Sequence, residues 1–600
     1  MKTEWKRSQV RVAEWSSYLL VLLVFGGSTL FSTDRLMGDG VDLFGTVWFY
    51  WWVKYCLYNG LDPSFTDIFF HPYGKDIFAH TGNNLLDAYL SIPFQLLFPF
   101  PTYFNVYVMV LLLCNCIAFR WMARIILPSP LLAWSATILW MVNPFVIGEL
   151  TMGRPTQCIF FFAFLAIGTF WRLHRRPSAK LALLLGGWTA LQGWIYWYSG
   201  YFLAFVLFWM SWFLFPKAAN ICTSKKLFQY YAMSVLCCLL LISPAVFGMV
   251  TKMNQGLVPG LGLETESWLQ LPELNNNIDS WLRGYHLTEP FGHPMLLSWL
   301  WGPLLVGVAV FGRERKIWLG ATVVTLMFAT GAVWPIGGYE IPMPQYLVLY
   351  HLLPFFDRLW FPYRLLGFTF ACLSVAAGLL LGRIGSQKWI VAMVLVGAAI
   401  GLLEHRSLHT MPIQSRAGKP PDVLEFIRQE GGGVIDLPIG YVRPSIMWQA
   451  IHEEPTFGGM GENARIFLPK AHLKRLNNSF IRYLSKVSFD PDTTAAYSFK
   501  DRERIEEQGF RFVLLDREIL EMELLLMGKD QGDRSTLVFD IQRELNRRFG
   551  EPAAANGAYV LWDMAAAQST RVSNQFEYTW SKSSITKYEQ ELQKRNRLPK

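Results

Sequence analysis

Uncharged, strongly apolar stretches of roughly 17 to 24 residues recur along the first two thirds of the chain, separated by short loops that hold most of the charge. A helix of that length crosses a hydrocarbon core of about 30 Å, and a helix satisfies its own backbone there. The pattern predicts about eleven spans, near 17–33, 104–119, 131–148, 157–171, 181–198, 200–216, 228–250, 295–312, 317–335, 364–382 and 389–403. The segment LLDAYLSIPFQLLFPFP, 85–101, is apolar but short and carries Asp87 and prolines, which predicts an interfacial or re-entrant helix. Beyond residue 403 the pattern changes. A linker, 404–420, leads into helix-like PDVLEFIRQE, strand-like GVIDLPIG, helix-like DRERIEEQGF and strand-like RFVLLD and YVLWDM, an alternation that predicts a small α/β domain over 421–600.

Composition agrees with a membrane protein: of 600 residues 52% are hydrophobic and only 16% charged. The net charge of +9 does not imply a nucleic-acid partner, because the lysines and arginines gather in alternate short loops. Placing the N-terminus in the cytoplasm puts Arg120, Arg124, Arg172, Arg175, Arg176, Arg313 and Arg383 on that side, as the positive-inside bias requires. The basic N-terminus and the apolar run after it lack a small-residue cleavage site and read as a retained first span. An odd number of spans leaves the C-terminal domain outside. The eight cysteines show neither disulfide-framework nor zinc spacing.

In this topology the first outer loop, 34–103, opens with GDGVDLFGTVWFYWW, residues 38–52. Asp39 and Asp42 stand before a helix expected to begin near Val41. They suit helix capping, since a carboxylate accepts from free N–H groups and opposes the dipole; they equally suit a catalytic carboxylate or metal ligand at the membrane surface. Trp48, Trp51 and Trp52 after them are expected to form an aromatic surface in the headgroup layer. Arg154, Arg358 and Arg364 fall on the outer side against the charge bias, to bind phosphate, to pair with Asp39, Asp42, Glu149 or Asp357, or to snorkel to lipid headgroups. His71 and His80 share the first loop and, with Trp48 and Trp51, are candidate site-lining residues; with the aspartates the histidines could hold a divalent cation such as Mg or Mn, though their spacing carries no metal signature. A second outer loop, 251–294, contributes Glu264, Glu266, Glu273 and Asp279, read as a solvated surface.

The stretch from Gly38 to Gly74 resembles the first extracytoplasmic loop of the bacterial GT-C superfamily of polytopic glycosyltransferases. Its Trp-rich segment is followed by Asn59, Gly60 and Pro63, then by Phe70, Pro72 and Gly74, and RLWFPYRLLGF, 358–368, resembles an arginine- and proline-containing pattern of the same proteins. The resemblance implies a GT-C-like fold in a bacterial inner membrane. It implies an inverting transfer of sugar from a polyprenyl-phosphate carrier to an extracytoplasmic lipid, glycan or protein acceptor. Asp39 or Asp42 would then serve as base, with the outer arginines on the donor phosphate.

Two other classes compete. A lipid transporter or flippase usually keeps ionisable residues within its spans, and the middles of the eleven spans hold none. A non-catalytic envelope assembly protein would use the C-terminal domain as a binding module. That domain shows no nucleophile elbow or phosphate loop, and GGMGENA, 458–464, lacks the strand–turn–helix context of a nucleotide site.

Overall fold

The computed structural model describes residues 7–565 apart from 41, 79–84, 219–222, 256–299, 312–314, 330–332, 337–338, 354–355, 357–361, 385, 408–411, 442–443, 463–467 and 492–496. Among the described residues seven helices are long and apolar enough to cross a membrane. They are Thr102–Ile126, Pro130–Thr151, Pro155–Arg175, Trp197–Pro216, Ser224–Asn254, Pro362–Leu381 and Gln387–Arg406. Shorter apolar helices lie at Val12–Gly26, Leu85–Leu97, Trp301–Phe311 and Lys316–Ala329, and a further helix at Ala179–Ile195. Among the described residues each of the eleven apolar segments read from the sequence overlaps a helix, although the segment 317–335 ends in a strand, Val333–Ile336, and by helix composition the chain is a multi-pass membrane protein.

The chain forms two compact units, one of residues 1–43 with 81–418, the other of 44–80 with 419–600. In the first, local chemistry decides where the apolar runs break. Pro144 has no N–H to continue the helix Pro130–Met141, so the chain restarts there, with the Asn143 side chain accepting from Val146 N at 3.0 Å. The result is a separate short helix, Pro144–Thr151, every residue of which is buried. The segment after the first helix is tied down by a two-stranded ladder in which Arg35–Met37 runs antiparallel to Ser415–Ala417. Asn105, fully buried, clamps that strand: its Oδ1 accepts from Met37 N at 2.8 Å and its Nδ2 donates to the carbonyls of Thr29 and Arg35 at 2.8 and 2.9 Å. The last apolar helix runs to Ser407. There Glu404 accepts from Leu300 N at 3.1 Å, and buried His405 bonds the Val142 carbonyl at 3.2 Å.

The second unit is built on a four-stranded mixed sheet. Gly433–Leu437 lies parallel to Phe510–Asp516, which pairs antiparallel with Tyr559–Asp563, and Ala554–Ala555 closes the edge. These are the three strands expected from sequence. Residues of Gly433–Leu437 and Tyr559–Asp563 are all buried, which is why they read as continuous apolar runs rather than alternating ones. Ile435, Leu437, Phe457, Phe480, Leu484, Val513, Leu515 and Trp562 share the core.

The aromatic helix expected at the membrane surface belongs to this core instead. In Asp42–Asn59, Trp48 is 0% exposed, and Tyr50, Trp51 and Trp52 are buried. Trp48 stacks on Phe69 at 4.1 Å between ring centroids and donates from Nε1 to Gln449 Oε1 at 2.7 Å. Gln449 in turn donates to the carbonyls of Ile68 and Glu454 at 2.9 and 3.0 Å. The chain around Phe70 is stitched on by Phe70 N to Gly458 O, 3.1 Å, and His71 N to Thr456 O, 3.2 Å. A helix apolar on every side seeks burial wherever a partner surface exists, and its partners here lie some 400 residues away in sequence. Buried Lys75 donates from Nζ to the Met460 carbonyl, and Arg475 donates to the carbonyls of His71 and Phe457.

Two outcomes follow from this unit. Gln449→Ala takes the acceptor from the buried Trp48 N–H and a donor from the Glu454 carbonyl, while Thr456 N still serves the Ile68 carbonyl, so it is expected to cost roughly 1–3 kcal/mol, read as a lower melting temperature of the purified protein. Burial lowers the Lys75 pKa from 10.5 to about 7. Between these values the unfolded chain binds a proton that the folded chain does not, so stability is expected to rise with pH from about 7 to 10.5, by at most roughly 1.4 kcal/mol per pH unit. Lys75→Met should flatten that rise in melting scans; an unchanged slope would assign it to another group.

Candidate functional site

The bend GDGVD is shaped by what it lies against. Gly38 and Gly153 take positive φ, +99° and +76°, and Gly38 lies within reach of the Gly153 backbone. A Cβ on Gly153 would stand 2.4 Å from Leu43 Cβ, and one on Gly40 would stand 2.3 Å from the Met152 carbonyl oxygen. The bend and the turn after Pro144–Thr151 therefore approach closely only because neither carries a side chain there. Asp39 N donates to Thr151 O at 2.7 Å, joining the two segments again.

This contact brings Asp42 to Arg154. Asp42 is in the first turn of its helix, and its Oδ2 accepts from Arg154 Nε. The two side chains differ in exposure, 4% for Arg154 and 50% for Asp42. Behind them lies Glu149, fully buried, with Oε1 3.6 Å from Arg154 Nη1, and Arg154 Nη1 donates to Tyr363 OH at 3.2 Å. Burial alone would pull the Arg154 pKa down, but Asp42, Tyr363 and Glu149 together hold it above its ordinary value. The guanidinium thus keeps its charge. Arg364, half-buried, donates to Tyr196 OH and lies over that ring at 5.4 Å, and it is within electrostatic reach of Glu149 and Tyr363. The assembled group is two carboxylates, two guanidiniums and two phenols, with one carboxylate half open to solvent. Such a set can bind an anion through forked donors and offer a carboxylate to a hydroxyl.

Of the residues expected from sequence, Asp39, Asp42, Arg154 and Arg364 are gathered in this unit. For Arg154 the pairing alternative is realised, with Asp42 and Glu149 both as counter-charges. His71 lies in the other unit, where its Nδ1 bonds the Asp67 carbonyl at 3.1 Å, and Trp48 and Trp51 are core residues there. His80, Arg358 and the acids of the loop 251–294 lie outside the described residues. Among the described residues no group of three or more His, Cys, Asp or Glu side chains is placed to hold a metal ion. Tyr363 and Tyr196 were not singled out by sequence; the signal available was adjacency, Tyr363 directly before Arg364 and Tyr196 within WIYWYSGYF.

Gly153→Ala tests the close approach. It adds about 1 kcal/mol of left-handed backbone penalty to a collision with Leu43, so a lower melting temperature and faster proteolysis at the Met152–Pro155 turn are expected; wild-type resistance would contradict the geometry.

No family model and no curated protein sequence matches the chain. Solved structures do. The archaeal oligosaccharyltransferase AglB from Archaeoglobus fulgidus, in complex with an inhibitory peptide and a dolichol-phosphate, aligns with a TM-score of 0.47 at 14% identity, over 86% of this chain and 70% of that one. The Archaeoglobus fulgidus oligosaccharyltransferase complexed with Zn and sulfate aligns at 0.49, with 14% identity over 87% and 70%. ArnT from Cupriavidus metallidurans bound to undecaprenyl phosphate aligns at 0.48, with 10% identity over 94% of this chain and all of that one.

Proposed function

We propose that the protein is an inverting membrane glycosyltransferase that moves a sugar from a polyprenyl-phosphate carrier to an extracytoplasmic acceptor. The observation that carries this reading is the meeting of half-exposed Asp42 with buried Arg154, beside Arg364, on the segment that follows the first helix. That segment is the one whose motif resembles the first loop of GT-C enzymes. In this reading the apolar helices other than Leu85–Leu97, eleven in all, cross the bilayer of a bacterial inner membrane. The N-terminus is cytoplasmic and the C-terminal unit external, an arrangement supported by the distribution of lysine and arginine between the loops.

The chemistry follows from the charges. The lipid tail of the donor stays in the bilayer while its phosphate meets the Arg364 guanidinium, with Tyr196 and Tyr363 adding donors. The leaving phosphate is a weak base and needs positive charge more than a proton. Asp39 or Asp42 takes the proton of the acceptor hydroxyl or amine as that atom attacks the anomeric carbon from the opposite face. Arg154 fixes Asp42 and adds positive charge next to the leaving group.

Membranes containing Asp39→Asn, Asp42→Asn or Arg364→Ala variants, supplied with a panel of radiolabelled polyprenyl-phosphate sugars, provide the test. At least one aspartate variant is expected to lose roughly 100-fold or more of its transfer rate, with folding checked by melting. Arg364→Ala is expected to raise the donor KM. Full activity in both aspartate variants would remove the assignment.

A further inference from the structure

The aspartate that spoils the apolar run 85–101 is fully buried. Asp87 stands in the first turn of the short helix Leu85–Leu97, and both its oxygens accept hydroxyl bonds: Oδ1 from Tyr107 and Oδ2 from Thr156. Tyr107 OH also lies 2.9 Å from the Asp87 carbonyl. A buried carboxylate is costly to keep, and an apolar residue of similar volume often serves packing as well or better. Its partner Thr156 points to a use. Thr156 belongs to the turn Pro155–Cys158, which Arg154 immediately precedes.

We propose that Asp87 is a positioning residue for Arg154, acting through Thr156. This deepens the reading above and, for its bearing on catalysis, rests on it. The turn is also held through its backbone and Cys158: Arg154 N donates to the Glu149 carbonyl at 2.9 Å and Cys158 Sγ to the Val146 carbonyl at 3.4 Å. The Arg154 carbonyl accepts from Gln157 N at 3.3 Å and from Cys158 Sγ at 3.4 Å, both within the same turn. Farther along, Asn115 holds the exit, donating to Cys158 O at 2.7 Å and accepting from Phe160 N at 2.8 Å. Asp87 fixes the entrance, on the side of the arginine. With Gly153 pressed on Leu43 before it and Thr156 held after it, Arg154 is aimed at Asp42, Glu149 and Tyr363. A carboxylate suits the task because it only accepts, so neither hydroxyl can turn away without leaving a buried charge unsatisfied. It also adds negative potential beside a turn that carries a guanidinium.

The test reads the arginine directly. Phenylglyoxal modification of Arg154, followed by peptide mass spectrometry on the detergent-purified full chain, is slow in the wild type, where the side chain is 4% exposed. Asp87→Asn and the isosteric Thr156→Val are expected to raise the modification rate about tenfold, while the melting temperature stays above the assay temperature. Thr156→Ser, which keeps the hydroxyl, is expected to restore slow modification. The Asp87→Asn, Thr156→Val double variant should be no faster than either single one, since both break one connection. Unchanged modification in the single variants, or failure of Thr156→Ser to restore protection, overturns the positioning role. Transfer from polyprenyl-phosphate sugars is measured separately. Loss of activity tracking Arg154 reactivity supports both readings; a wild type that transfers no sugar sinks the glycosyltransferase reading while leaving the labelling result to decide the role of Asp87.

Discussion

A guanidinium with almost none of its side chain exposed cannot be left without counter-charge, because removing one partner of a buried ion pair costs several kcal/mol. Arg154 meets that requirement with Asp42, Glu149 and the Tyr363 hydroxyl. Each comes from a different part of the chain: the bend after the first helix, the short helix after Pro144, and the start of Pro362–Leu381. Holding the charge therefore fixes where three segments meet. Glycines 38, 40 and 153 let the backbones come close enough for it, and Asn105 anchors the strand that delivers the bend.

The same segment leads directly into a different environment. One residue after Leu43 the chain passes into the second compact unit, where Trp48 is sequestered by Gln449 and Phe69. The C-terminal unit is thus not built from the C-terminal sequence alone. Residues 44–80 supply part of its core and hydrogen-bonding, with Trp48, Phe70, His71 and Lys75 each bonded or packed to residues beyond 419.

Much of the fold was legible. Apolar runs bounded by charge located the long apolar helices among the described residues, though not the short helix Pro344–Leu352, because a hydrocarbon solvent rewards long uncharged stretches and little else. The three long strands of the C-terminal sheet were legible for a related reason, since strands buried on both faces read as short unbroken apolar runs. The aromatic helix was misplaced by the same kind of reading. Tryptophan and tyrosine prefer both a headgroup layer and a protein core, and composition does not separate the two; the deciding contact, Trp48 with Gln449, spans 401 residues.

At the candidate site the sequence by itself determined which residue types stood out: aspartates next to an apolar helix, arginines beside apolar segments, an aspartate inside an otherwise apolar segment. Charge in an apolar context is costly wherever the chain goes, so it is visible without coordinates. Only the tertiary structure decided who met whom. It paired Arg154 with Asp42 and Glu149, gave Arg364 to Tyr196, joined Asp87 to Thr156, and carried His71 into the other unit. Those choices depend on distances between segments far apart in sequence, set by backbone approach at three glycines and by helix breaks such as Asn143–Pro144, and Coulomb and hydrogen-bond energies act only once those distances exist.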